Sequence, residues 1–166
     1  PGAGNLIAGN RIHGILLSGR SDRNLIQGNG IGTTLAAVTG IGIGPANLGN
    51  GQSGIRVNAS SSNTVGGSAS GTGNVVSGNS GTGIHVIGNN TNLPGPPGNL
   101  ILGNVVGTNI DGNLSIPNLA GGVLLGNSSG NTVGGTAAGE ANSIASNRGA
   151  GLTLNGSLSA RNLVLG

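Results

Sequence analysis

The sequence of 166 residues lacks cysteine, lysine, methionine and every aromatic residue. Without cysteine, neither a disulfide nor a thiolate metal site can form. Without aromatic rings, there are no platforms on which nucleic-acid bases or sugar rings could stack. The longest apolar runs are a few residues, far shorter than a membrane-spanning helix requires. The sequence therefore predicts no membrane partner, no metal site and no cofactor.

Charge is also scarce, because charged residues make up only 5% of the chain and the formal net charge is +3. All six basic residues are arginines, scattered at positions 11, 20, 23, 56, 148 and 161. Proteins that bind nucleic acids usually gather their basic residues on one face. The sequence therefore predicts no nucleic-acid partner, despite an isoelectric point of about 11.7.

Glycine and asparagine dominate what is present, with 38 and 24 residues respectively, alongside 43 isoleucines, valines and leucines. Collagen is excluded because glycine does not recur at every third position. Disorder is disfavoured because aliphatic residues form about a quarter of the chain and the net charge is low. The composition indicates a folded chain whose core is built from small branched side chains.

Two short patterns recur along the chain. The first is N-x-h-x-G-N, where h is aliphatic, and it begins at residues 5, 24, 74, 99 and 142, with shortened forms at 63, 131 and 162. The second is G-h-x-h, which begins at residues 14, 54, 83, 122 and 151. Every second copy of the G-h-x-h pattern lies 68 or 69 residues further on, and such a regular period is typical of stacked repeats.

The local pattern predicts short strands, because aliphatic residues alternate with other residues over three to five positions. No segment shows helical periodicity, and glycine every few residues would weaken a helix. The connections are too short for helical crossovers between parallel strands. We therefore predict an all-β, single-stranded parallel β-helix, or β-solenoid. Taking three coils per super-repeat gives about seven coils of roughly 23 residues, forming one domain over residues 1–166 within a longer protein.

Glycine and asparagine are expected at the corners of the coils, since both adopt left-handed backbone conformations more readily than other residues. Side-chain amides of asparagine can both donate and accept hydrogen bonds. Stacked from coil to coil, they are expected to form hydrogen-bonded ladders along the solenoid.

The segments "NLIQGNGIGTT", "LGNGQSGIRV", "NTVGG", "GNVVSGN" and "GTGIHV" resemble the parallel β-helix repeats of the pectin-lyase-like superfamily. They are most similar to the Asn/Gly-rich repeats of large bacterial secreted and surface proteins. The resemblance implies a right-handed coil and an extracellular or cell-surface location. It implies no single activity, because this superfamily includes polysaccharide lyases, hydrolases, tail-spike proteins and repeats without known activity.

The carboxylates that an enzyme of this type would need are few. Asp22, Asp111 and Glu140 are the only acidic residues, and no two share a motif. Glycoside hydrolysis requires two carboxyl groups roughly 5–10 Å apart. Asp111 in "GTNIDGN" lacks the remaining ligands of a calcium loop and is interpreted as part of an Asx-type turn. We therefore expect solvated corner residues and predict no catalytic residue.

Arg56 and His85 are the candidate ligand-binding residues. Both are the outward residue of a G-h-x-h pattern, and they lie 29 residues apart. If 29 residues form one coil, their backbones lie about 5 Å apart on one sheet, where they could contact an acidic sugar. The equivalent positions Leu16, Leu124 and Thr153 do not extend this pair, and His13 is expected to be a surface residue.

Three functions remain open from the sequence. The first is a non-catalytic structural segment, a rigid scaffold or spacer in a secreted or cell-surface protein. The second is a relative of polysaccharide lyases or hydrolases with a reduced or missing active site. The third is a shallow glycan-binding module that uses Arg56, His85 and the loop at 89–98. Because exposed strand edges tend to pair with another chain, end-to-end self-association is also expected.

Overall fold

The computed structural model describes residues 4–33, 48–88 and 98–166. These residues form fifteen short strands in three five-stranded sheets, and every pairing within the sheets is parallel. No helix occurs in the described ranges, and so none could cross a membrane there. The predicted all-β parallel β-helix is confirmed.

Each coil contributes one strand to each sheet. The first sheet consists of β1 (Leu6–Ile7), β4 (Gly30–Ile31), β7 (Val75–Val76), β10 (Val105–Val106) and β13 (Ser143–Ile144). The second consists of β2 (Ile15–Ser18), β5 (Ile55–Asn58), β8 (Thr82–Ile87), β11 (Gly121–Gly126) and β14 (Leu152–Asn155). The third consists of β3 (Leu25–Ile26), β6 (Thr64–Gly66), β9 (Leu100–Leu102), β12 (Thr132–Val133) and β15 (Leu163–Val164).

The described residues form five coils, so the prediction of about seven coils of roughly 23 residues is wrong. Residues stacked on adjacent coils are separated by between 24 and 45 residues. The G-h-x-h pattern marks the second sheet and occurs once per coil, whereas the asparagine pattern occurs before both the first and the third sheets. The 68-residue super-repeat is therefore two coils of unequal length, because coil length varies in the corners while strand register stays fixed.

The core is a narrow column of aliphatic side chains. Each of the third and fourth coils contributes four side chains to this column, one from the first sheet, two from the second and one from the third. In the third coil these residues are Val76, Ile84, Val86 and Ile101, all with 0% exposure. Strand alternation therefore places one face inward and the other outward, as the sequence predicted.

The glycines at the first position of the G-h-x-h pattern form a row along the second sheet. A Cβ atom added to Gly54 would lie 2.9 Å from the carbonyl oxygen of Gly83 on the next coil, and one added to Gly83 would lie 2.8 Å from that of Gly122. No side chain fits there, because real Cβ atoms do not approach other atoms so closely. The glycine of this pattern is thus required by close stacking of the coils.

Three asparagine ladders run along the corners through all five coils, which confirms the prediction of stacked amides. In each step, the main-chain N–H and the side-chain Nδ2 of one asparagine both donate to the Oδ1 of the asparagine on the next coil, at 2.8 to 3.3 Å. The first ladder precedes the first sheet and consists of Asn5, Asn29, Asn74, Asn104 and Asn142. The second precedes the second sheet and consists of Asn10, Asn50, Asn79, Asn118 and Asn147. The third precedes the third sheet and consists of Asn24, Asn63, Asn99, Asn131 and Asn162.

The ladder asparagines also donate hydrogen bonds to main-chain carbonyl groups. The Nδ2 group of Asn118 donates a further hydrogen bond to the carbonyl oxygen of Val76 at 2.9 Å, and that of Asn99 does the same to Ser60 at 3.1 Å. A buried amide must satisfy two donors and an acceptor, and the ladder provides partners for all of them. Asparagine is therefore the corner residue at these positions because of its hydrogen bonds.

Candidate functional site

The outer face of the second sheet brings Arg56 and His85 together. They lie in register on the neighbouring strands β5 and β8, which confirms that 29 residues form one coil here. The Nη1 atom of Arg56 lies 3.2 Å from the Nδ1 atom of His85. A guanidinium can only donate, so Nδ1 accepts this hydrogen bond and the neutral ring carries its proton on Nε2.

His85 is kept neutral by its surroundings. Burial lowers its pKa to about 4, and the positive charges of Arg56 and of protonated His13 act in the same direction. Its Nε2 atom is buried without a hydrogen-bond partner. At neutral pH the pair therefore carries one positive charge, on the arginine, and one unused donor, on the imidazole.

His13 belongs to the same cluster, although the sequence indicated only a surface residue. It stands on the first coil before β2, while Arg56 lies on the second coil and His85 on the third. Burial and the charge of Arg56 lower the pKa of His13, and the backbone of Ser53 opposes the shift. A comparison of His13 with Thr82, its counterpart one super-repeat along the sequence, does not reveal that His13 lies near Arg56. The 40-residue spacing between the first two G-h-x-h patterns would have placed His13 beside Ser53 and close to Arg56.

The outward-facing row of the second sheet that contains Arg56 and His85 has no further basic residue. Leu16 stands in register with Arg56 on one side, and Leu124 and Thr153 continue the row beyond His85. The sequence predicted these three residues at these positions. The cluster of His13, Arg56 and His85, which we call the basic cluster, therefore covers three coils of the sheet.

Three further arginines flank the sheet. Arg11 lies in the corner before β2, and Arg20 and Arg23 lie in the corner after it, all of them exposed. The six arginines are scattered in sequence, but four of them lie on or beside the second sheet within the first two coils. The acidic Asp22 in the same corner accepts a hydrogen bond from the main-chain N–H of Ser61 at 2.6 Å.

The three acidic residues lie in three different corners. Asp22 follows a strand of the second sheet, Asp111 follows one of the first sheet, and Glu140 follows one of the third. The Oε2 atom of Glu140 accepts from the main-chain N–H of Ala137 at 3.0 Å, which closes its own turn. In the described ranges, no three histidine or acidic residues are grouped so that they could hold a metal ion.

The turn around Asp111 is organised by a neighbouring amide. The Oδ1 atom of Asn109 accepts from the main-chain N–H of Leu114 at 2.9 Å, and its Nδ2 atom donates to Asn113 at 2.7 Å. Asp111 itself is exposed at the tip. The side-chain closure of the turn therefore comes from Asn109, and Asp111 faces solvent.

Two clefts lie in the described part of the molecule, and neither is lined by a titratable side chain that could act as an acid or a base. One, of about 270 Å³, lies against the fifth coil and is lined by Val133, Asn142, Ile144, Gly151, Leu152, Val164 and Leu165. The other, of about 220 Å³, is a groove whose lining includes residues 67–71, Val105 and Ile110. The greater part of the loop at 89–98, predicted to take part in binding, lies outside the described residues.

No protein-family model, no curated protein and no solved structure matches this chain. The fold is established by the three parallel sheets, and function must be argued from the residues that those sheets position.

Proposed function

We propose that this chain is a non-catalytic structural segment, a rigid scaffold or spacer. The observation that carries this proposal is the continuity of the three asparagine ladders through all five coils. Each junction between coils holds six ladder hydrogen bonds in addition to the strand pairing. At about 4.8 Å per coil, the stack forms a rod in which bending would break several buried hydrogen bonds at once.

The location proposed for this scaffold is extracellular or at the cell surface. Its support is the resemblance of the repeats to Asn/Gly-rich repeats of secreted and surface proteins. The absence of cysteine permits either a reducing or an oxidising compartment, and so the location rests on the resemblance alone.

Stretching a single molecule between two marker domains tests the scaffold proposal. A rigid rod should resist extension until one or a few high-force events release whole coils. Asn79→Ala, which interrupts one ladder at its centre, should lower that force, whereas Asn58→Ala on the exposed outer face should not. Gradual extension at the force of an unfolded chain would reject the proposal.

A polysaccharide-cleaving function is opposed by the separation of the acids. Glycosidases need two carboxyl groups within roughly 10 Å of each other, and here the three carboxylates occupy three different corners of the coil. Incubation with pectin, polygalacturonate and neutral polysaccharides, with and without Ca²⁺, should yield no product. Product formation that a triple substitution of Asp22, Asp111 and Glu140 abolishes would show that the protein is an enzyme.

Shallow binding of an acidic glycan is a second candidate function, favoured by the 3.2 Å contact of Arg56 with His85. The contact orients a guanidinium on the outer face of the second sheet, where the exposed Arg11, Arg20 and Arg23 add positive charge. Guanidinium groups bind carboxylates and sulfates through paired hydrogen bonds. Polysaccharide is accordingly the proposed partner of this face.

A glycan array with carboxylated, sulfated and neutral members tests this second candidate. Binding of acidic members should fall at least roughly tenfold in Arg56→Gln, since one charge-assisted pair contributes about 1.5–3 kcal/mol. Arg148→Gln is the matched control, because Arg148 is an exposed arginine on the fifth coil. Equal loss in both variants would indicate nonspecific charge attraction and count against a defined site.

A further inference from the structure

The outer face of the third sheet alternates between two side chains. Its strands are in register, and the outward row reads Leu25, Thr64, Leu100, Thr132 and Leu163. The strand sequences that produce this row, Asn-Leu-Ile or Asn-Leu-Val and Asn-Thr-Val, occur by turns along the chain. The two-coil period of the sequence is therefore also the period of this surface.

The leucines of this row are exposed because they face outward. Leu100 lies on the middle coil of the described stack, with a strand paired on either side of it, and it is still 40% exposed. The five described strands of the third sheet contain no charged residue. Contiguous uncharged surface that carries exposed leucines is typical of a contact site.

The other two sheets present different outer faces. On the first sheet, the outward Val75 is completely buried, and Val105 lines a groove together with residues 67–71. On the second sheet, Arg56 and His85 occupy the outward row. The third sheet therefore differs from both, because it presents only leucine and threonine in this row along the whole described stack.

Leucine and threonine differ in length, and so this face has ridges and grooves. Adjacent coils lie about 4.8 Å apart, so the leucines recur about every 9.6 Å with a shorter threonine between them. The next outward position follows the same alternation on the middle coils, where Gly66 on the strand of Thr64 stands in register with Leu102 on the strand of Leu100. Since ridges and grooves have equal spacing, two copies of the face fit together when one is shifted by a single coil.

We propose that two copies of this chain bind face to face through their third sheets, with their solenoid axes antiparallel. A two-fold axis along the solenoid would place each coil opposite itself, so that leucine would meet leucine. A two-fold axis parallel to the strands and between two coils places each leucine strand opposite a threonine strand instead. Leu100 of one copy then lies opposite Thr64 or Thr132 of the other, in an isologous contact.

This contact goes beyond the scaffold proposal, because it joins rods side by side. It lies along the side of the solenoid, so further coils would lengthen it. A face of five coils is only about 24 Å long, which is less than a standard interface provides. We therefore expect a reversible contact with a dissociation constant between about 10 µM and 1 mM.

Sedimentation equilibrium of the unmodified chain and two leucine variants tests this contact. The mass of the unmodified chain should rise towards that of a dimer as the concentration approaches about 1 mM. Leu100→Lys places a charge in the centre of the contact and should weaken association at least roughly tenfold. Leu119→Lys is the matched control, because Leu119 is 48% exposed and lies in a corner of the fourth coil. It should leave the dissociation constant within about twofold of the natural value.

Two results of this measurement would overturn the proposal. Monomers at about 1 mM would mean that the face binds a different partner or none. Association that Leu100→Lys leaves unchanged would place the contact elsewhere on the molecule. Neither result bears on the scaffold proposal, because stretching a single molecule does not depend on association.

Filling the grooves distinguishes interdigitation from general apolar attraction. Thr64→Leu/Thr132→Leu makes the face more apolar but removes the space that the leucines of the second copy enter. Association of this variant should weaken at least roughly tenfold, because leucine then meets leucine. Circular dichroism should show the natural strand signal in every variant. Equal or tighter association of the variant with filled grooves would overturn the proposal.

Discussion

Asparagine is the residue that decides this fold at the scale of single side chains. Its Oδ1 accepts two hydrogen bonds from one neighbouring coil, and its Nδ2 donates to the next coil and to a main-chain carbonyl. Aspartate has no donor, and alanine has neither donor nor acceptor. Asn63, Asn74, Asn79, Asn99 and Asn118 are completely buried, so an unsatisfied group at these positions has no water to bond.

Asn79→Ala should lower the free energy of unfolding by roughly 2–5 kcal/mol, because it leaves two buried donors of Asn50 without an acceptor. Asn79→Asp keeps the acceptor but loses the donors to Asn118 and to the carbonyl of Ile31, and it should also destabilise. Urea unfolding followed by circular dichroism measures both. Asn58→Ala, on the exposed end of β5, is the control and should change stability by less than about 0.5 kcal/mol. Equal effects at positions 58 and 79 would contradict the role of the ladder.

His85 should make stability depend on pH in a defined window. Its pKa is about 4 in the folded chain and 6.5 in the unfolded chain. The unfolded state therefore binds more protons between these values, and stability increases with pH there. The contribution is complete above pH 6.5 and is lost as the pH falls through about 4. His13, whose pKa is also lowered, acts in the same direction.

His85→Gln should remove most of this dependence. The loss in the natural chain is expected to be about 1–2 kcal/mol, less than the full pKa difference implies, because His85 is only half-buried and solvent screens its charge. Thermal unfolding at pH values on either side of the window gives the measurement. A natural chain and a His85→Gln chain with the same pH profile would show that the imidazole is not held neutral by the fold.

At the scale of the strand, the four residues of the G-h-x-h pattern have three structural roles. The two aliphatic positions fill the core, the residue between them faces outward, and the glycine permits the next coil to approach. The backbone of this glycine has no unusual φ angle at Gly14, Gly54, Gly83 or Gly122, so the requirement there is space alone. Gly151, on the fifth coil, has its nearest atom at an ordinary 3.5 Å.

Gly83→Ala should therefore destabilise the protein by about 1–3 kcal/mol, because the added methyl group must displace the neighbouring coil. Gly151→Ala is the matched control at the same position of the pattern and should be close to neutral. Chemical unfolding of the two variants measures the difference. A Gly83→Ala chain as stable as the Gly151→Ala chain would show that the coils can separate without cost.

For the whole molecule, the coil is the unit of stability, because the strands of each described coil pair only with those of the adjacent coils. The number of residues in a coil varies, but the register of its strands does not. The first and third ladders step by 24 to 45 residues, while the strands they precede remain aligned. The additional residues of the longer coils lie in the corners, where they take no part in strand pairing.

Removing residues 55–83 should leave a folded chain of four coils. The deletion joins Gly54 to Ile84 and takes 29 residues, one complete coil with one asparagine from each ladder. Circular dichroism should retain the strand signal per residue, and the melting temperature should fall because fewer coils stack.

Removing residues 55–77, about 23 residues, is the matched control and should prevent folding. This shorter deletion joins Gly54 to Gly78, which places polar corner residues where strand residues should stand. Folding of the shorter deletion with unfolding of the longer one would contradict the assignment of five coils.

The sequence by itself determined the class of fold, the strand positions and the existence of amide ladders. Alternation of aliphatic residues, the glycine pattern and the recurrence of asparagine are local properties, and each has a local physical meaning. The pairing of Arg56 with His85 was predictable for the same reason, since both occupy the same position of one pattern a single coil apart. The row of Leu16, Leu124 and Thr153 followed from that register too.

Only the tertiary structure decided the number of coils, the polarity of the ladders and the membership of the basic cluster. A repeat period does not reveal how many turns it contains when corner lengths vary, so two unequal coils resemble three equal ones. His13 is distant in sequence from Arg56 and comes near it only because the first two coils stack. Hydrogen-bond direction depends on which amide faces which coil, and that is a property of the assembled stack.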